Sequence, residues 1–189
     1  MNLNKLLFLT LPLLGLLACD NSPQQVQPDI DMPAVRHAQV KADATTQLEK
    51  FINASIRRQH DDYYNLITSQ DQAIKTRAQY LDEQTRLQPN LADAYFEKIS
   101  YVISALDITG TTAKAEVVYQ FPDAERMIKK VYNLAILDIK SLPPLDEMKQ
   151  KIDQTYQGKL IPMKAVTRHF NLLRESTGWR VAVGWNKKS

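Results

Sequence analysis

Cysteine is almost missing from this sequence, whose 189 residues hold one. A single thiol excludes an intramolecular disulfide scaffold and a Cys-rich zinc site. Glycine is scarce too, with 5 residues, which excludes collagen-like and Gly-rich low-complexity chains. There are three histidines, and no Gly-rich phosphate loop, G-x-S-x-G, H-E-x-x-H or C-x-x-C. The usual hydrolytic and redox machineries therefore lack their residues, and no metal or cofactor is expected. Charge of one sign is also lacking: 24 Lys+Arg against 21 Asp+Glu give a net +3, too little to argue for nucleic acid. What is present is globular usage, 44% hydrophobic and 24% charged, with enough apolar content to bury a core.

The amino terminus reads as an address. Lys5 is followed by the apolar run Leu6–Leu17, shorter than the roughly 20 residues that span a bilayer. The run closes on Leu16-Leu17-Ala18-Cys19, with the chain's single cysteine last. Charge, apolar run, small residue and Cys in this order resemble the lipobox of bacterial lipoproteins. The resemblance implies removal of residues 1–18, a diacylglycerol thioether on Cys19 and acylation of its new amine. Several acyl chains hold a protein firmly where one does not. Asp20, directly after Cys19, resembles the signal that keeps such proteins in the inner membrane, with the outer membrane as the alternative. Either way the chain would face the periplasm, anchored to the lipid bilayer.

Residues 19–43 hold Pro23, Gln24, Gln25, Gln27, Pro28 and Pro33, a composition expected of a tether. As a coil it would span roughly 25–30 Å. Residues 44–189 are then left to fold as one domain. Thr46-Gln47-Leu48-Glu49 reads as a capping box opening a helix with Leu48, Phe51, Ile52 and Ile56 on one face. Asp61 or Asp62 would cap a short second helix. Ser69-Gln70-Asp71-Gln72 would open a third, carrying Ile74, Ala78 and Leu81 and ending near Pro89. Strands are expected from Tyr95 to Leu106, from Ala113 to Phe121 and from Val166 to Arg174, and a last one from Trp179 to Trp185. The turns fall at Thr109-Gly110 and Ser176-Thr177-Gly178. Between the strand pairs, residues 123–160 form an excursion with two helical stripes. Met127, Ile128, Val131, Leu134, Ala135 and Ile139 make the first; Leu145, Met148, Ile152 and Tyr156 the second. The run 131–139 is apolar enough to be a buried strand instead.

This order of helices, the His60-Asp61-Asp62-Tyr63-Tyr64 turn and the closing Gly178-Trp179-Arg180-Val181 resemble the NTF2-like (cystatin-like) α+β cone. The resemblance implies N-terminal helices packed on a curved antiparallel sheet, here with a helical insertion, around an apolar pocket. Members of that family include isomerases, dehydratases, cyclases, small-ligand binders and assembly modules, so fold alone chooses no function.

His60 beside Asp61 and Asp62 is the most polar cluster, readable as a base with its orienter, as metal ligands, or as helix-capping residues. His169 and Asn171 share one face of a strand with Thr167 and Leu173. If that face lined the cone they would form a polar pair, with Glu97 or Glu116 as partner. His37 falls in the tether and is assigned no role. Residues 19–125 hold 10 Lys+Arg against 16 Asp+Glu, and residues 126–189 hold 13 against 5. The second part of the chain is therefore basic, and Lys129, Lys130, Lys140, Lys149, Lys151 and Lys159 place several of its charges on the excursion.

The leading expectation is a non-catalytic, membrane-tethered module for an envelope protein partner or a small apolar ligand. Its contact surface would be Met127, Val131, Met148, Ile152 and Tyr156 with Trp179 and Trp185. The alternatives are an enzyme using His169 and Asn171 without a metal, and a homodimeric structural subunit.

Overall fold

The computed structural model describes residues 32–87, 91, 93–134 and 142–185. The leader, Cys19, Asp20, Pro89, Ala135 and Ile139 lie outside these residues.

The first element, α1 (Met32–Ile56), is 25 residues long. It begins within the stretch expected to be tether, so residues 32–43 are helix and Thr46 is mid-helix, not a cap. Pro33 does not prevent this, because a helix's first turn has no use for that N–H. Ala34, Ala38, Ala42 and Ala44 supply strong helix propensity. The buried stripe also starts a turn early, with half-buried Val40 and buried Ala44 ahead of Leu48, Phe51 and Ile52. Residues 33–39 stand exposed.

Two short helices follow, α2 (His60–Leu66) and α3 (Ser69–Ile74). The expected third helix is broken at Lys75, and α4 (Arg77–Arg86) starts anew. The reason is a capping box: Thr76 accepts from the Gln79 N–H while the Gln79 side chain accepts from the Thr76 N–H. A 3-10 turn (Asp93–Lys98) stands where the first strand was expected to begin.

The sheet is a four-stranded antiparallel meander in the order β1 (Ser100–Thr109), β2 (Thr112–Pro122), β3 (Met163–Glu175), β4 (Gly178–Ala182). Gly110 sits at φ +59° in the two-residue loop between β1 and β2, where hairpin turns require a positive φ. The excursion leaves between β2 and β3 as α5 (Ala124–Tyr132) and α6 (Leu145–Thr155). Asp123 caps α5, and Asn133 ends it in the left-handed conformation. The stripe expected to run on to Ile139 is therefore interrupted. The architecture is α+β, an open sheet with helices.

Two separate cores hold it. In the first, α1 lays Leu48, Phe51 and Ile52 on the sheet face formed by Leu106, Ala113, Ala115, Val117, Tyr119, Leu172, Trp179 and Val181. The opposite sheet face has no helix in this cluster. In the second core, Met127, Ile128, Ile152 and Tyr156 close on Leu91 and Tyr95. Tyr95 turns away from the sheet for this purpose, and its hydroxyl donates to Asp153 Oδ1 at 2.8 Å.

A polar clasp joins the helices to the last strand. Ile67 bridges to Val181 in parallel, and the Thr68 N–H donates to the Val181 carbonyl at 3.0 Å. Asp71 is 3% exposed. Its Oδ2 accepts from the Thr68 hydroxyl at 2.6 Å and the Val183 N–H at 3.0 Å, and its Oδ1 from the Trp185 N–H at 3.0 Å. The expected strand to Trp185 thus ends at Ala182, because a carboxylate, not a neighbouring strand, takes the next amides.

Candidate functional site

The clasp and the capping box bring four rings together. Arg58 adopts φ +55°, turning the chain between α1 and α2, and α2 then presents Tyr63 and Tyr64 in sequence. Tyr64 is fixed by its hydroxyl, which donates to the Lys75 carbonyl at 2.8 Å. Tyr80 on α4 stacks on Tyr63, with centroids 5.6 Å apart and planes 14° from parallel. Trp185, delivered by Asp71, lies 5.6 Å from Tyr80 and 6.3 Å from Tyr64. Rings at such separations add to the stability their burial gives.

A cavity of about 300 Å³ remains beside the cluster, walled by Tyr63, Tyr80 and Trp185 with Arg58, His60 and Lys75 among its polar lining. The volume is at the small end of ligand sites. His60 Nδ1 is 3.4 Å from the Tyr80 hydroxyl, a long contact. The Lys75 ammonium lies 4.8 Å from the Trp185 ring centroid and 2.5 Å from Glu83 Oε2. Arg58 pairs with Asp93.

Burial is the main cause that pushes the Tyr63 hydroxyl up to about 12. The negative charge of Asp71 adds to the rise, and Arg168 opposes it. Burial first, then Tyr63, raises Tyr80 as well. Tyr119 is pushed up to about 12, again mostly by burial. A raised folded-state pKa contributes stability that is complete below the unfolded value near 10 and fades as pH rises through the folded one. An ultraviolet phenolate titration is therefore expected to show Tyr63 and Tyr119 still protonated at pH 11, with stability falling between about pH 10 and 12. Complete, reversible ionisation of all tyrosines near pH 10 would contradict this environment.

The residues singled out in the sequence are scattered. Asp61 pairs with Arg77 at 2.5 Å. Asp62 lines a separate open cleft of about 680 Å³ with Lys50, Gln59 and Asn65. Neither joins His60 in an acid–base arrangement. His169 and Asn171 lie on the sheet face opposite α1, both exposed. Glu116 stands directly across from His169 in the β2–β3 register, and Lys114 across from Asn171. Ser104 Oγ donates to Glu116 Oε1 at 2.8 Å. Of the two carboxylates considered for His169, Glu116 is thus its cross-strand neighbour, while Glu97 is in the 3-10 turn.

The hydrophobic residues read as a contact surface require correction. Met127 and Ile152 are fully buried, Tyr156 and Trp179 nearly so, and Val131 and Met148 pack half-buried against the second core. A helical stripe reads the same in sequence whether it is covered by a partner or by its own chain, and here α5 and α6 cover each other. Only Trp185 of that set lines the cavity. His37 is on the exposed start of α1. Among the described residues no group of three or more His, Cys, Asp or Glu could hold a metal ion, and no helix is long and apolar enough to cross a membrane.

Tyr80 and Lys75 were not singled out from the sequence, and Tyr63 only as part of the turn after His60. The one signal pointing to them is the Thr76-Arg77-Ala78-Gln79 capping box, which breaks the third helix and turns Tyr80 back toward α2. Compared with family models, with curated proteins and with solved structures, the chain matches none.

Proposed function

We propose that this chain is a membrane-anchored periplasmic lipoprotein with an NTF2-like domain that binds a small ligand or a partner protein without transforming it. The observation that carries the binding half is the pocket of about 300 Å³ beside His60, where Arg58, Lys75 and Gln84 and the edges of the packed Tyr63, Tyr80 and Trp185 leave space for a small molecule. Rigid walls of this kind lower the entropy lost when a ligand binds. The anchoring half rests on Leu16-Leu17-Ala18-Cys19, and Asp20 favours retention in the inner membrane. Tethering would concentrate the domain at the membrane surface, where a second binding event becomes effectively intramolecular. The NTF2-like reading is supported by the order of helices followed by an antiparallel meander.

The enzyme reading has one observation in its favour, Glu116 opposite His169. Against it, His169 is exposed, and water screens the interactions by which a dry site tunes an acid or base.

The anchor is tested by Cys19→Ser in the full chain. Metabolic labelling with palmitate is expected to vanish and the protein to leave the membrane fraction. Persistent labelling would overturn the assignment.

A further inference from the structure

We infer that the free edge of β1, with the groove beside it, is a docking site for an extended segment of a partner protein, which adds there as a fifth strand. This rests on the reading of the chain as a binding module and names the form its partner takes. The strand order leaves two sheet edges, one at β1 and one at β4. The β4 edge is guarded: Ile67 bridges to Val181, and Asp71 takes the Val183 and Trp185 amides. Among the described residues β1 pairs with β2 alone, and no backbone hydrogen bond reaches its other edge. In an antiparallel pair alternate residues turn both N–H and C=O away from the partner. Such an edge is a template for another strand.

The two halves of β1 differ. Bulges and charges blunt a sheet edge. The register slips between Ile103 and Ala105, and Asp107 follows, so the second half has both devices. The half from Ser100 to Ile103 has neither, and Val102 within it is 66% exposed. The groove lies beside this same half. It measures about 600 Å³ and is bordered by Asn53, Ile56 and Arg57 on one side and by Phe96, Ile99 and Tyr101 on the other. A smaller apolar hollow of about 270 Å³ shares Ile56, Arg57 and Phe96 and extends it to Leu145. Ile99 and Tyr101 pack toward the core that α1 covers. An added strand would therefore drop every second side chain into the groove and lay the others beside Val102. Backbone hydrogen bonds give docking of this kind its affinity, and side-chain pockets its selectivity.

Charge narrows the occupant. Arg57 and Glu97 both border the groove, and among the described residues neither has an ion-pair partner. The segment that fits alternates apolar and polar residues and carries an acidic side chain for Arg57 and a basic one for Glu97.

The test pans a phage-displayed library of random nonapeptides against the full chain in detergent. Enriched peptides are synthesised and titrated by calorimetry. They are expected to alternate apolar and polar residues and to carry charges of both signs. On binding, amide exchange should slow in residues 99–103 and not in β4. N-methylating one alternate set of peptide residues should weaken binding about tenfold, and the other set hardly at all, because an added strand turns only every second N–H toward its neighbour. Val102→Lys puts a guarding charge on an exposed edge position, and Arg57→Glu reverses an unpaired charge. Both variants should fold normally by circular dichroism and bind about tenfold more weakly. Equal effects of the two N-methylated sets, or slowed exchange elsewhere than residues 99–103, would overturn strand addition. A library without enriched peptides would overturn the edge as a docking site, while the pocket beside His60 stands or falls separately on a bound small molecule.

Discussion

Asp71→Ala is expected to destabilise the folded chain by about 2–4 kcal/mol, since each buried group left without its partner costs about 1–3 kcal/mol. Three donors lose their acceptor together: the Thr68 hydroxyl and the Val183 and Trp185 amides. For a domain of this size that corresponds to a melting temperature lowered by roughly 6–12 °C. The effect should be directional as well as large. Trp185 follows β4 with no strand neighbour of its own, so without the carboxylate its indole loses its position against Tyr64 and Tyr80. Asp71→Asn keeps the shape but turns an amide N–H toward at least one donor, so a smaller loss is expected. Thermal unfolding followed by far-ultraviolet circular dichroism, with Trp fluorescence in parallel, measures both effects. An unchanged midpoint would show that Asp71 is not the clasp.

Ile152→Ala is expected to remove about 2–5 kcal/mol, the range for emptying a fully buried aliphatic site. The loss should fall unevenly. Ile152 belongs to the core of α5, α6 and the 3-10 turn, which shares no buried residue with the core of α1 and the sheet. Amide exchange should therefore accelerate across residues 124–132 and 145–155 while β2 and β3 keep their protection. Equal acceleration in both would mean that the two cores unfold as one unit.

Asp71 also illustrates what a sequence withholds. It was legible as part of a helix-start signal, and Thr68 does cap α3 by accepting from its N–H. Its second role, holding amides more than 110 residues away, depends on which strand the helix lands beside. The strands were the more legible part. Alternation in residues 113–121 placed Val117 and Tyr119 on the face that α1 covers, and Gly110 and Gly178 marked turns the chain makes. The β3 alternation likewise put His169 and Asn171 opposite Phe170 and Leu172, though not which face would meet the helix.

Helix boundaries were less legible. Three prolines and several glutamines gave residues 19–43 the composition of a tether, yet alanines and one buried stripe outweigh that composition from residue 32 onward. The cavity was the least legible of all. Its rings come from α2, α4 and the segment after β4, and no spacing in the sequence relates them. His60 drew notice for its acidic neighbours, but its near partner in space is Tyr80.

The most direct test of the whole proposal is native mass spectrometry of the full-length product extracted from membranes in detergent, compared with its denatured mass. The expected result is a chain beginning at Cys19 with a covalent diacylglyceryl and acyl increment, plus a small additional mass that denaturation releases. A chain that begins elsewhere or lacks the lipid, or one whose native and denatured masses agree, would contradict a lipid-anchored protein that holds a small ligand.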